Sequence, residues 1–174
     1  IGLAAGKFGI WEWDVATDEI WVSAQTRELY GLAGTDQIDF ARFLGAVHPL
    51  DRDAVQAAAL QSLENDSEFT REYRVLLPRG QVRWLLTQGR IESSPNGKSL
   101  RMRGVSFDIS GRVLASERFR EVFNAAPSSM VVVDVDGKIS LVNARVETDF
   151  GYTRAELIGQ PIEMLIPERF RARH

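Results

Sequence analysis

One passage of this sequence is written twice. Asp14 stands 16 residues before Tyr30 in the pair Tyr30-Gly31, and Asp134 stands 16 residues before Phe150 in Phe150-Gly151, an offset of 120. Ile20 and Val22 correspond to Ile139 and Leu141 within a residue, and Val47-His48-Pro49 answers Leu165-Ile166-Pro167 with a slip of two. Self-similarity of this kind means one structural unit used twice, and 174 residues leave room for one whole unit and the opening of a second. The chain starts at Ile1 and stops in a run, Ile166 to His174, that reads as the start of a helix, so it is expected to be a piece of a longer protein.

The first copy resolves into elements by periodicity. Trp11, Trp13 and Val15 alternate against Glu12 and Asp14, which predicts a strand over Gly9 to Val15 with one covered face. Ala16-Thr17-Asp18 makes a turn into a partner strand, Glu19 to Ser23, completing an antiparallel hairpin. Short helices follow: Thr26 to Tyr30 ending at Gly31, then Asp39 to Leu44, then a longer one started by Pro49 and Asp51 and ended near Asn65-Asp66. Three long strands, Glu68 to Leu77, Val82 to Glu92 and Ser99 to Asp108, are separated by Pro78-Arg79-Gly80 and Pro95-Asn96-Gly97, both strong turn signals. Two strands, several helices and a three-strand meander describe an α+β domain with helices on one face of an antiparallel sheet.

After Gly111 the chain turns into a polar helix, Arg112 to Asn124, with Ala115, Phe119, Val122 and Ala126 at four-three-four spacing. So narrow a stripe suits a paired helix. The strand pattern then returns at Met130 as Val131 to Val135, turns at Asp136-Gly137 and continues from Lys138 to Val142. The domains expected are therefore 1–110, a coiled-coil-like linker at 111–126, and a partial second copy at 127–174.

Composition sets outer limits. With 44% hydrophobic and 26% charged residues the chain can bury a core. A net charge of −3 with interspersed signs gives no broad phosphate-neutralising surface, so nucleic acid is not an expected partner. No apolar run is long enough to cross a bilayer, so no membrane contact is expected of this region, although the parent protein can be anchored outside it. The absence of cysteine removes disulfides, thiolate metal sites and thiol nucleophiles. It is also compatible with a cytoplasmic location.

The motifs, in their order, resemble the PAS family over nearly the whole chain. In the first copy they are Gly9-Ile10-Trp11-Glu12-Trp13-Asp14, Val47-His48-Pro49-Leu50-Asp51-Arg52, Glu72-Tyr73-Arg74 and Gly104-Val105-Ser106-Phe107-Asp108-Ile109-Ser110. The second copy is similar to the opening of sensor-kinase PAS domains through Val142-Asn143-Ala144, Phe150-Gly151-Tyr152, Glu156-Leu157-Ile158-Gly159 and Leu165-Ile166-Pro167-Glu168-Arg169. The resemblance implies a five-stranded antiparallel sheet with helices closing a cavity against one face, used to sense a small molecule or to mediate protein contacts. It implies the sensory and dimerisation region of a bacterial signal-transduction protein, a histidine kinase or related multidomain regulator, with any catalysis in an output domain beyond this region.

Particular residues carry rival readings. His48-Pro49-Leu50-Asp51-Arg52-Asp53 gathers imidazole and carboxylates, but a metal or hydrolytic site needs a third convergent group, and none is evident. The structural reading has Pro49 preorganising a helix start, Asp51 and Asp53 meeting its exposed amides, and Arg52 pairing outward. Trp11, Trp13, Trp21 and Trp84 have the shape to stack on a flavin or haem, against a default role in core packing or in covering the sheet where the linker helix docks. The flavin-photoreceptor variant is excluded by its missing adduct cysteine. His174 falls where the resemblance to haem-binding oxygen sensors places the proximal ligand, a role open only to the intact parent. No tightly bound cofactor is expected in this region. For relay, Asp108, Ile109, Ser110 and Gly111 form the expected hinge, and Ala115, Phe119, Val122 and Ala126 the contact face of a homodimer. A ligand-free interaction module is the alternative; an enzyme fits worst, because no nucleophile-base pair or phosphate-cradling loop emerges.

Overall fold

Residues 8–34, 36–93 and 100–166 are described in a computed structural model. Strand β1 (Phe8–Asp14) keeps its alternation, with Trp13 buried and Phe8 and Ile10 exposed on the opposite face. Asp14 closes the turn: its Oδ1 accepts from the amides of Ala16 (3.1 Å) and Thr17 (3.4 Å), which brings β2 (Glu19–Val22) back antiparallel. Ser23 caps helix α1 (Ala24–Tyr30) by accepting from the Thr26 amide, and Gly31 ends it at φ 65°, a left-handed conformation that costs glycine little. Asp39 caps α2 (Phe40–Ala46) in the same manner. A 3-10 turn at Pro49–Asp51 leads into α3 (Arg52–Asn65), which Asp66 ends at φ 49°.

Strands β3 (Phe69–Leu76), β4 (Val82–Ser93) and β5 (Leu100–Asp108) form the expected meander. The five strands make one antiparallel sheet in the order β2-β1-β5-β4-β3, so the first and last strands of the copy lie side by side at its centre. The helices cover one face, and the core between them includes Leu29, Val47, Tyr73, Val75, Leu85 and Met102, each at most 2% exposed. This is the α+β architecture the sequence implies. Pro95-Asn96-Gly97 lies outside the described residues.

The His48 to Asp53 segment differs in detail from its sequence reading. His48, not Asp51, supplies the cap, accepting the Leu50 amide at Nδ1 (3.3 Å). The Asp51 carboxylate turns instead to β3, where it takes the amide of Arg74 (2.9 Å) and both arms of its guanidinium (2.9 and 2.5 Å). A bidentate charged partner outcompetes neutral helix amides, and the Arg74 guanidinium holds the Asp51 carboxyl below its usual range. Among the described residues Arg52 pairs with no acid; it donates to the carbonyls of Val47 and Gly45, each at 3.0 Å. These contacts are structural and converge on no reactive group.

The chain divides into two compact units between Val113 and Leu114. Helix α4 (Ser110–Ala125) runs through that point. The second unit repeats the opening of the first, with β6 (Val131–Val133), β7 (Ile139–Val142), α5 (Ala144–Phe150) and α6 (Arg154–Leu157). The offset of 120 holds at single hydrogen bonds. Ile10 exchanges bonds with Ser23 through its amide and carbonyl, and Met130 does the same with Asn143. Gly151 ends α5 at φ 76° as Gly31 ends α1. A bulge at Val132/Val133 adjusts the alignment: Val142, not Leu141, is the partner of Val131 and so the counterpart of Val22, while Ile139 takes the place of Ile20.

Candidate ligand cavity

Tyr30 at the end of α1, Tyr73 on β3, Thr87 on β4 and Ser106 on β5 bring four hydroxyls together, each residue 3% exposed or less. The oxygens close a ring: Tyr30 to Tyr73 2.6 Å, Tyr73 to Thr87 2.9 Å, Thr87 to Ser106 2.9 Å and Ser106 to Tyr30 3.0 Å, with a diagonal of 3.2 Å between Tyr30 and Thr87. Four hydroxyls carry four hydrogens, so the ring consumes its own donors. Pairing of this kind offsets the cost of burying polar groups.

Burial pushes the Tyr30 phenol up from its ordinary value although its hydroxyl neighbours pull the other way. The Tyr73 phenol is pushed well above its ordinary value, by burial first and by the neighbouring Tyr30 second. Both stay neutral where an unfolded chain ionises its phenols, near pH 10. The unfolded state therefore holds fewer protons above that point, and stability falls as pH rises through it. An ultraviolet titration of the folded protein is expected to show fewer phenolates than its three tyrosines, the remainder forming only on alkaline unfolding. Three phenolates forming together before unfolding would contradict the ring.

Beside the ring lies a cavity of about 40 Å³, with Trp11, Trp13, Phe40 and Phe43 among its walls and Tyr30 and Thr87 at its polar edge. Trp13 stacks on Phe40 with ring centroids 4.5 Å apart, and its Nε1 donates to Asp18 Oδ1 at 3.0 Å. Trp11 lies across the sheet floor. Val22, Trp11, Gly104, Gly89 and Phe69 stand in one row over all five strands, and the indole occupies the space above the two glycines. A Cβ at Gly89 would stand 2.6 Å from Trp11 Cη2. Trp11 Nε1 is buried and, among the described residues, without a hydrogen-bond partner.

Sites that hold drug-sized ligands run to about 300–1,000 Å³, so the side chains as arranged leave no room for flavin or haem. The four tryptophans divide by face. Trp11 and Trp13 line the cavity, whereas Trp21 is 61% exposed. Trp84 sits beneath Arg74, whose guanidinium carbon is 5.6 Å from the ring, and its backbone anchors the start of α4: the Trp84 amide donates to Ser110 Oγ, and its carbonyl accepts from the Ile109 amide, each at 3.0 Å. Around the joint, Asp108 pairs with Arg83 at 3.3 Å and accepts the Ser110 amide at 2.9 Å. Ala115, Phe119 and Val122 are exposed on α4, Phe119 stacks on Phe123 at 5.4 Å, and Ala126 lies just past the helix end. His174 lies outside the described residues. The described residues hold no group of histidine and carboxylate side chains placed to bind a metal.

The hydroxyl ring has no counterpart in the sequence reading. Its available signal is that Thr87 and Ser106 alternate with the buried Leu85 and Met102 on one face of β4 and β5.

Family models described as the PAS fold match residues 19–106 and again residues 117–174. The chain belongs to the PAS family. Sensor protein FixL of Bradyrhizobium diazoefficiens is 27% identical over 95% of this PAS chain and 34% of its own length. A blue-light-activated histidine kinase of Brucella anthropi is 27% identical over 92% of the chain and 33% of its length. A probable diguanylate cyclase, DgcE, of Escherichia coli is 24% identical over 91% of the chain and 15% of its length. The chain thus spans about a third, or less, of the curated relatives it matches. Among solved structures, a sensory box histidine kinase/response regulator from Burkholderia thailandensis superposes with TM-score 0.55 at 27% identity, covering 66% of this chain and 86% of that one. The two PAS copies make this a signal-transduction sensory PAS region. No helix among the described residues is long and apolar enough to cross a membrane.

Proposed function

We propose that the first PAS copy senses a condition at its cavity and relays it along α4, as a cytoplasmic homodimer, to an output domain elsewhere in a longer signalling protein. The observation that carries this reading is the joint between sheet and helix. One residue, Ile109, separates β5 from α4, and the backbone of Trp84 on β4 binds both Ile109 and Ser110. A change of sheet geometry at Trp84 therefore moves the first turn of the helix with it, and Asp108 to Gly111 act as a tied hinge. A relay of this type needs two arrangements of similar free energy that the signal favours unequally.

Phe119 and Val122 are 53% and 73% exposed and with Ala115 and Ala126 make an apolar stripe that a second helix would cover. Phe119→Glu is expected to weaken self-association at least about tenfold, roughly 1.4 kcal/mol, with unchanged circular dichroism. Sedimentation that shows a monomeric wild type, or a variant that dimerises as before, would overturn the dimer-relay reading. The small cavity favours one competing reading, a ligand-free interaction module. Output activity, kinase or cyclase as in the relatives, belongs to this proposal for the parent protein alone.

A further inference from the structure

We infer that the cavity of the first PAS copy takes a small apolar molecule with no hydrogen-bonding group, no larger than a dissolved gas or light hydrocarbon. This rests on the sensory reading above and specifies its ligand. The surface facing the space is carbon almost throughout, supplied by Trp11, Trp13, Ile20, Phe40, Phe43 and Met102 among others. The polar atoms of the wall turn elsewhere. Trp13 Nε1 donates to Asp18, Thr26 Oγ1 donates to the Ile10 carbonyl at 2.8 Å, and Trp11 Nε1 is shut away from the space. Tyr30 and Thr87 direct their hydroxyls into the ring, and the lone pairs left on those oxygens do not open onto the space. No lining side chain is ionisable except the Tyr30 phenol, which burial keeps protonated, so a charged guest would be desolvated without a partner.

At about 40 Å³ the space is larger than a single water requires, roughly 10–15 Å³. Water is nevertheless the wrong occupant, because a buried water is held by about two to four polar partners and the described wall presents none. Apolar cavities stay dry and accept apolar guests such as xenon. Wall atoms that face an empty space forgo dispersion contacts that a close-packed interior otherwise makes, and a guest of matching size restores them without desolvating any polar group of the protein. A hydroxyl or amine on the guest would lose its water and find no partner. Phe40 and Phe43 belong to α2, a seven-residue helix with no fully buried residue. Elements with so little burial open locally at the lowest free energy, which gives the guest a route in. On the opposite wall Thr87 shares strand β4 with Trp84, whose backbone holds the start of α4.

Xenon, ethane and methanol test this directly. Ethane and methanol are near isosteres, and the hydroxyl of one replaces a methyl of the other. The chain has three methionines: Met102 in the cavity wall, and Met130 and Met164 in the second unit as internal controls. With the full chain, the Met102 methyl resonance, assigned by its loss in Met102→Leu, is expected to shift saturably under xenon and under ethane while Met130 and Met164 stay in place. Ethane is expected to bind at least about tenfold tighter than methanol, whose hydroxyl would be buried without a partner. The backbone amides of Trp84 and Ser110 are expected to shift with the same saturation, which carries the sensory reading. Methanol binding as tightly as ethane overturns the apolar ligand class, and the two amides still report on sensing. A saturable Met102 shift with Trp84 and Ser110 unmoved upholds the ligand class and overturns the sensory reading. No Met102 shift with any of the three overturns the inference and favours the interaction module. The comparison of ligands is made on the wild type, and it is independent of the oligomeric state on which the relay test depends.

Discussion

Gly104→Ala is expected to destabilise the first PAS copy by about 3 kcal/mol or more, at the upper end of what overpacking costs. A Cβ there would overlap the Gln88 carbonyl oxygen on the neighbouring strand and the Cζ2 of Trp11, with Cε2 only 2.7 Å away. Backbone of a hydrogen-bonded strand cannot step aside as a side chain can. Gly89 provides the control. Its added Cβ meets side-chain atoms alone, Trp11 Cη2 at 2.6 Å, Trp11 Cζ2 at 2.9 Å and Met102 Cγ at 3.3 Å, so Gly89→Ala should cost distinctly less. All four tryptophans lie in this copy, and their fluorescence through urea unfolding reports it selectively. Equal losses for the two variants, or none for Gly104→Ala, would show that strand β4 yields where the geometry says it is fixed.

Asn143→Ala is expected to be the most damaging substitution of similar size in the second unit, at about 2–4 kcal/mol for polar groups left without partners. Asn143 is 1% exposed. Its Oδ1 accepts from the Met130 amide, and its Nδ2 donates to the carbonyls of Phe123 and Ser128, all at 3.0 Å. The Phe123 carbonyl lies in the last turn of α4, where helical partners run out. Ser23, its counterpart in the first copy, holds the Ile10 amide by its Oγ at 3.1 Å. Asn143→Ser should therefore keep the Met130 contact and lose the other two, giving an intermediate loss. Hydrogen exchange at the Met130 amide reads this out: fast in Asn143→Ala, slower in Asn143→Ser, slowest in wild type. Wild-type protection in Asn143→Ala would remove the residue from this role.

Local patterns in the sequence carried the elements and their order, because alternation, caps and turns are decided by neighbours. Ser23, Asp39, Gly31 and Gly151 act where their residue types suggest. What local patterns do not hold is partnership over distance. The pairing of β1 with β5 joins strands about ninety residues apart and leaves no mark in either. Asp51 has helix amides within reach in sequence, yet Arg74, 23 residues on, offers a bidentate charge and takes it. A bulge of one residue at Val132/Val133 turns an apparent match of Val22 with Leu141 into one with Val142. The site is legible in the same uneven way. Tryptophan on a covered strand foretells an aromatic wall, but only the fold brings Tyr30 to Tyr73, Thr87 and Ser106.

The ring of hydroxyls has one more property. Four oxygens joined edge to edge, with one hydrogen each, can pass those hydrogens round in either sense, so a single set of oxygen positions admits two opposite circulations. Each donor polarises the next in such a closed circuit, and every local O–H dipole reverses when the sense reverses. Replacing one member, as in Ser106→Ala, leaves Tyr30, Tyr73 and Thr87 joined through the 3.2 Å diagonal, so the circuit shrinks from four members to three. The core of this domain therefore carries an orientation that its heavy atoms do not display, held among four residues from one helix and three strands.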